Sequence, residues 1–153
     1  MTAGSNELVS VRAFDVPREL VYRAWTTPEL LARWWGPEGF TNTFDVCDIR
    51  PGGEWRFVMH GPDGKDYPNY SVFVETVPHE RVALDHMSGH RFRLTGQFDD
   101  LGEGRTRVTF RQAFKEADEF ERVKALCAQA NEQNLDRLGQ VLAEAGRRVG
   151  GEQ

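Results

Sequence analysis

The residues able to do chemistry in this chain are few: four histidines, two cysteines and a small set of polar side chains among apolar ones. His86 and His90 are separated by three residues, but the spacing straddles a Ser88-Gly89 turn instead of one turn of helix. No cysteine accompanies them, so no metal site is expected. Cys47 falls in an expected strand and Cys127 in an expected helix, which reads as two buried thiols and not a disulfide. Neither has the surroundings of a nucleophile, and no G-x-S-x-G occurs. No glycine-rich turn joins a strand to a helix as a phosphate loop would, and the residues call for no cofactor. What remains is Glu75, His86 and Gln112, which strand alternation puts on an inward face, with Asn134 opposite them on a helix. These four read either as core polar groups satisfied by backbone, water or one another, or as the orienting groups of a mostly apolar pocket. Glu75 and His86 are also the candidate catalytic pair, acid and base, if their side chains come within hydrogen-bonding reach.

A second set lies on the opposite face. Arg91, Arg93, Arg107 and Arg111 alternate outward on two consecutive expected strands, making a positive patch if those strands pair. The plain reading is a solvated face balanced by Asp99, Asp100 and Glu103. The sharper one is a docking surface for an acidic protein partner.

The elements that must position these residues are legible from their periods. From Ala117 to Ala145, Phe120, Val123, Leu126, Cys127, Ala130, Asn134, Leu135, Leu138, Val141, Leu142 and Ala145 recur at spacings of three and four, one stripe of a long helix. Glu121, Arg122, Lys124, Asp136, Arg137 and Glu144 take its other side. Asp118 and Glu119 suit its positive end, Arg147 and Arg148 follow its negative end, and Gly146 is placed to stop it. Ala130 and Asn134 stand where a filled core would prefer leucine, which suggests close packing or a cavity wall.

After a loose start at Met1–Asn6, the earlier chain reads as a strand at Glu7–Phe14 and a short helix at Pro17–Trp25. Thr27-Pro28-Glu29 then opens a second short helix carrying Leu30, Leu31, Trp34 and Trp35, ended by Gly36-Pro37. Further strands are expected at Phe40–Ile49, Glu54–His60, Tyr70–Val77, Arg81–Met87, Arg91–Phe98 and Arg105–Phe114, separated by turn-forming residues. Their alternation, one wet and one apolar face, predicts an antiparallel sheet that the long helix covers. The first strand must pair with a late one for the sheet to curve round that helix.

A chain of 153 residues makes one domain. A hydrophobic fraction of 39%, a charged fraction of 28% and a net charge of −5 describe a globular protein and argue against nucleic acid and anionic membranes. No leader and no long apolar run is recognised, so the expected location is the cytoplasm, as monomer or homodimer.

Arg33-Trp34-Trp35-Gly36-Pro37, then Phe40-Thr41, then Asp48-Ile49-Arg50-Pro51-Gly52-Gly53-Glu54-Trp55-Arg56-Phe57 resembles the START-like helix-grip superfamily (SRPBCC). Within it, the match is nearest to the family named after the activator of the heat-shock-protein-90 ATPase. Gly61-Pro62-Asp63-Gly64, Glu75-x-x-Pro78-x-Glu80-Arg81 and Leu135-Asp136-x-x-Leu138 extend the likeness from roughly Leu8 to Ala145. Most of these are turn and core residues, with Trp34 and Trp35 read as plugs for one end of the sheet. Many relatives have tryptophan where this chain has Asn131, a change that enlarges or polarises the space beside the helix or lies at the surface.

The resemblance implies an α+β helix-grip fold: about seven antiparallel strands, two short helices after the first, wrapped round the C-terminal helix. It also implies an internal cavity for a small hydrophobic or aromatic molecule. Its expected lining is Trp55, Phe57, Met59, Phe73, Glu75, Leu84, His86, Phe92, Phe110, Gln112, Ala130 and Asn134. Binding without chemistry is the reading adopted. A cyclase- or hydrolase-like enzyme using Glu75 and His86, and a co-chaperone-type activator, stand as alternatives. The first strand begins almost at once, which leaves no place for the extra amino-terminal domain of the eukaryotic activators and argues against the last.

Overall fold

In the computed structural model the backbone is described for residues 6–151 and the side chains for 6–146, so the expected loose start before Asn6 and the side chains of Arg147 and Arg148 lie outside the described residues. The elements follow the expected order: β1 (Glu7–Phe14), α1 (Arg18–Thr26), α2 (Pro28–Trp34), β2 (Thr41–Cys47), β3 (Glu54–His60), β4 (Asp66–Val77), β5 (Arg81–His86), β6 (Phe92–Gly102), β7 (Arg105–Phe114) and α3 (Ala117–Gly151). The strands form one antiparallel sheet in the order β1-β7-β6-β5-β4-β3-β2. β1 therefore pairs with the last strand, Ser10 opposite Phe110, as the closing of the curve requires.

Alternation sets the inner face. Trp55 and Phe57 on β3, Phe73 on β4, Val82 and Leu84 on β5, Leu94 and Phe98 on β6, and Val108 and Phe110 on β7 are all buried. α3 packs against β1, β7, α1 and α2. Leu135, Leu138, Val141 and Leu142, in its second half, join the core. Trp25 of α1 is ringed by Trp34, Phe98 and Phe110 at 5.0–5.8 Å between ring centres. It lies so close over β6 that a Cβ on Gly96 would stand 2.5 Å from its ring, so glycine is needed there. Gly53 has a comparable reason: a Cβ would fall 1.9 Å from the Asp48 carbonyl, inside the tight reversal between β2 and β3.

Several boundaries differ from the sequence reading. β4 begins at Asp66, four residues before the expected Tyr70, even though Pro68 lies within it. Pro68 pairs with Val58 on β3, while β5 joins β4 only from Ser71, so the missing N–H breaks no ladder on that side. α3 does not stop at Gly146 but runs on to Gly151, about 50 Å in all. Gly146 instead allows close approach, since a Cβ there would meet Val16 at 3.3 Å. Leu126, counted in the apolar stripe, is 71% exposed; Cys127 and Asn131 take the inward positions of those turns.

Candidate functional site

Along the inward stripe of α3, Phe120 is anchored on Phe114 at 5.6 Å between ring centres, and from Leu135 onward the large side chains are buried. Between these anchors the inward residues are Cys127, Ala130, Asn131 and Asn134, too small or too polar to fill the gap to a curved sheet. The gap is a partly open cleft of about 240 Å³. Its floor is Met59, Asn69, His86, Phe92, Leu94, Phe110 and Gln112 from β3 to β7, and Trp35, Gly36 and Pro37 close one end. Of the residues expected at such a wall, Met59, His86, Phe92, Phe110, Gln112, Ala130 and Asn134 are there.

Trp55, Phe57, Phe73 and Leu84 are not; they are fully packed core residues. They share the inner face with the wall residues but lie deeper, where Trp55 stacks between Phe57 at 4.3 Å and Phe73 at 5.7 Å. Glu75 is not inward at all. Register shifts between Phe73 and Glu75, so Phe73 faces Leu84 but Glu75 faces Ala83, two consecutive residues of β5. One extra residue in β4 turns Glu75 onto the outer face. There Arg81 holds it by two hydrogen bonds, 2.8 and 3.3 Å, and that pairing keeps its carboxyl below the usual carboxylate range. The expected Glu75–His86 pair is not formed.

His86 lies in the cleft wall, its ring stacked on Phe92 at 4.6 Å and 8°. Nδ1 is 2.7 Å from the His90 carbonyl across the turn, and Nε2 is 2.7 Å from Oδ1 of Asn69. A carbonyl only accepts, so Nδ1 carries a proton. Burial lowers the pKa of the ring, partly offset by that hydrogen bond, with His90 lowering it further. Asn69 turns its Oδ1 toward Nε2 and donates its Nδ2 to the Tyr67 carbonyl at 2.9 Å.

The polar residues on α3 differ in their satisfaction. Asn131 is buried, and its Nδ2 donates to Gln112 Oε1 at 3.0 Å; it polarises the space beside the helix. Asn134, one turn on and 7% exposed, has its Oδ1 buried without a protein partner.

Sequence reasoning missed Trp35, Gly36, Pro37, Asn69, Leu94 and Cys127 as wall residues. Trp35 reads from the sequence as a plug for the end of the sheet, and Asn69 stands just before the strand expected at Tyr70–Val77. It also missed what holds the end wall in place. Arg137, assigned to the polar side of α3, reaches back to α2 and its following turn. Nη1 lies 2.9–3.2 Å from the carbonyls of Trp35, Gly36 and Pro37, and Nη2 lies 3.0 Å from that of Arg33. Arg33 belongs to the last turn of α2, whose carbonyls lack helical partners. Of the others, the Trp35 carbonyl also accepts from Asn42 Nδ2 at 2.9 Å, and that of Pro37 from the Phe40 N–H at 3.2 Å.

On the outer face the arginines are largely paired: Arg93 with Asp85 through two bonds of 2.8 and 3.0 Å, Arg107 with Asp99 at 3.7 Å and Arg111 with Glu7 at 3.0 Å. Arg91 and Arg93 line a polar groove of about 270 Å³ with Lys115 and Asp85. Both cysteines are free. Burial, with Asp48 and Glu29, pushes the Cys47 thiol up to about 12, and burial raises Cys127; neither is poised as a thiolate. Among the described residues no group of three or more His, Cys, Asp or Glu side chains is arranged to hold a metal ion, and no helix is long and apolar enough to cross a membrane.

A seven-stranded antiparallel sheet curved round a long C-terminal helix, with two short helices after the first strand, is the START-like helix-grip (SRPBCC) fold. Solved structures share it. A crystal structure of a protein from Nitrosomonas europaea has a TM-score of 0.85 at 23% identity, over 95% of this chain and 99% of that one. A protein from Rhodobacter sphaeroides gives 0.81 at 25% identity, over 94% and 97%. The AHSA1 protein from Silicibacter pomeroyi gives 0.74 at 20% identity, over 91% and 99%. Within this class the chain belongs to the family described as activator of Hsp90 ATPase homolog 1-like protein, whose profile matches residues 15–143. A comparison with curated proteins returns no match.

Proposed function

We propose that this chain binds a small hydrophobic or aromatic molecule in the cleft between the curved sheet and α3, and does no chemistry on it. The observation that carries the reading is the unfilled space of about 240 Å³ between two well-packed ends of α3. Its wall is mostly apolar and aromatic, with a few polar groups, the composition of a small-molecule site. A dry cavity of about 150 Å³ accepts benzene, so the cleft suits a molecule somewhat larger than one ring. Acid–base catalysis by Glu75 and His86 has no geometric support, because the bulge in β4 separates them.

The test is native mass spectrometry of freshly purified protein, with solvent extraction of whatever is released. A discrete co-purifying compound, or saturable binding of an uncharged fluorescent probe, is the expected result. Failure of both would overturn the reading. A second reading, an activator-type role, follows from family membership. It predicts a change in ATP hydrolysis by a heat-shock-protein-90 chaperone on addition of this protein.

A further inference from the structure

We infer that the occupant of the cleft is an uncharged, flat, two-ring molecule bearing one hydroxyl group, and that Asn134 selects that group. The inference rests on the binding reading above and adds the chemical class. Charge comes first. None of the residues lining the cleft is aspartate, glutamate, lysine or arginine. A charged ligand would lose its hydration there with no counter-charge to offset the loss. His86 supplies none at neutral pH, because burial favours its neutral form.

Size and shape come next. The cleft volume of about 240 Å³ is roughly one and a half times the cavity of about 150 Å³ that takes benzene. Two fused rings fit that volume. The flat stack of His86 on Phe92 gives one wall a planar face, which favours a planar partner in offset or edge contact.

The polar group follows from the amides. Asn131 donates its Nδ2 to Gln112 Oε1 at 3.0 Å, whereas Asn134, on the same side of α3 one turn later, has its Oδ1 buried with no protein partner. A buried amide oxygen with no protein hydrogen bond is uncommon. In a fully apolar site leucine would serve this position better; an asparagine there is complementary to a polar group on the occupant. No protein partner holds Oδ1, and the terminal torsion of the amide is broad. It can turn either its NH2 or its carbonyl to the ligand, matching a hydroxyl, which both donates and accepts.

Titration calorimetry with three matched compounds tests this: 2-naphthol, naphthalene and 2-naphthoate, against wild type and Asn134→Leu. For wild type the expected order is naphthol about tenfold tighter than naphthalene, with naphthoate weakest. In Asn134→Leu the naphthol advantage should vanish, while naphthalene binds as well or better. Naphthoate binding tightest would overturn the inference. So would equal affinity for naphthol and naphthalene in wild type, or a naphthol preference that survives the substitution. In each of those cases the binding reading itself stands, because a naphthalene has bound. If none of the three binds, and the uncharged probe also fails, both readings fall together.

Discussion

Replacing Asn134 by leucine should stabilise the protein while removing its ability to choose a polar ligand. The reasoning starts from Oδ1 of Asn134, which is buried and unpartnered. An unsatisfied buried polar atom costs about 1–3 kcal/mol. Leucine has nearly the same branched outline and is a better helix former, at a position that borders the cleft. A net gain of about 2 kcal/mol is the central expectation. For a chain of this length each kcal/mol moves Tm by about 2–4 °C, so the shift should be about 4–8 °C upward. Scanning calorimetry reads Tm directly, and urea unfolding gives the free-energy change without relying on heat. A Tm that falls would refute the argument, since it would mean that the amide already has a stabilising role in the empty protein. A Tm that rises together with loss of the naphthol preference would show that an asparagine is kept at this position at the expense of stability. That is the pattern expected of a binding residue.

Three further outcomes follow from the same geometry. Arg137→Met should cost about 2–3 kcal/mol in urea unfolding, because four backbone carbonyls lose a charged donor; Arg137→Lys should not restore it, since an ammonium cannot span that set of carbonyls as a planar fork does. It should also weaken ligand binding through the Trp35–Pro37 wall. His86 should titrate below the ordinary histidine range when its ring signals are followed by NMR. Above pH about 6.5 both folded and unfolded chains hold it neutral, so its contribution is complete. As pH falls below that, the unfolded chain takes up the proton first, and stability is lost until the folded pKa is reached; the loss should be smaller in His86→Gln. Gly96→Ala should destabilise by about 3 kcal/mol or prevent folding, because the new Cβ would lie 2.5–2.9 Å from the Trp25 ring. Trp25 is hemmed in by other aromatics, and a mild effect on urea unfolding would contradict that packing.

The parts of this fold that were legible in the chain are those governed by near neighbours. Apolar residues at spacings of three and four announce α3, alternation announces the strands, and Pro51-Gly52-Gly53 marks a reversal that tolerates no side chain at Gly53. That β1 pairs with a late strand was also legible, since a curved sheet must close; the structure makes that strand β7. The errors have physical causes of a different kind. Phe73-Val74-Glu75 alternates without a glycine or proline to mark a bulge; the bulge appears only when β4 pairs with β5. Gly146 has the residue type of a helix stop, but its helix runs on to Gly151, and the close approach of Val16, 3.3 Å from where a Cβ would stand, is visible only in the tertiary structure. Arg137 reads as solvent-facing by its period, yet its long stem carries the guanidinium to another element.

For the site, the sequence by itself determined which residues share the inner face: Trp55, Phe57, Phe73 and Leu84 belong to it no less than Met59, Phe92, Phe110 and Gln112. The tertiary structure alone decided that the first group fills the core and the second borders open space. Facing is a matter of parity along a strand, which each strand carries in its own pattern. Depth depends on how far α3 stands from each strand. That distance is set by Phe120 at one end and by Leu135 to Leu142 at the other, acting across the whole molecule.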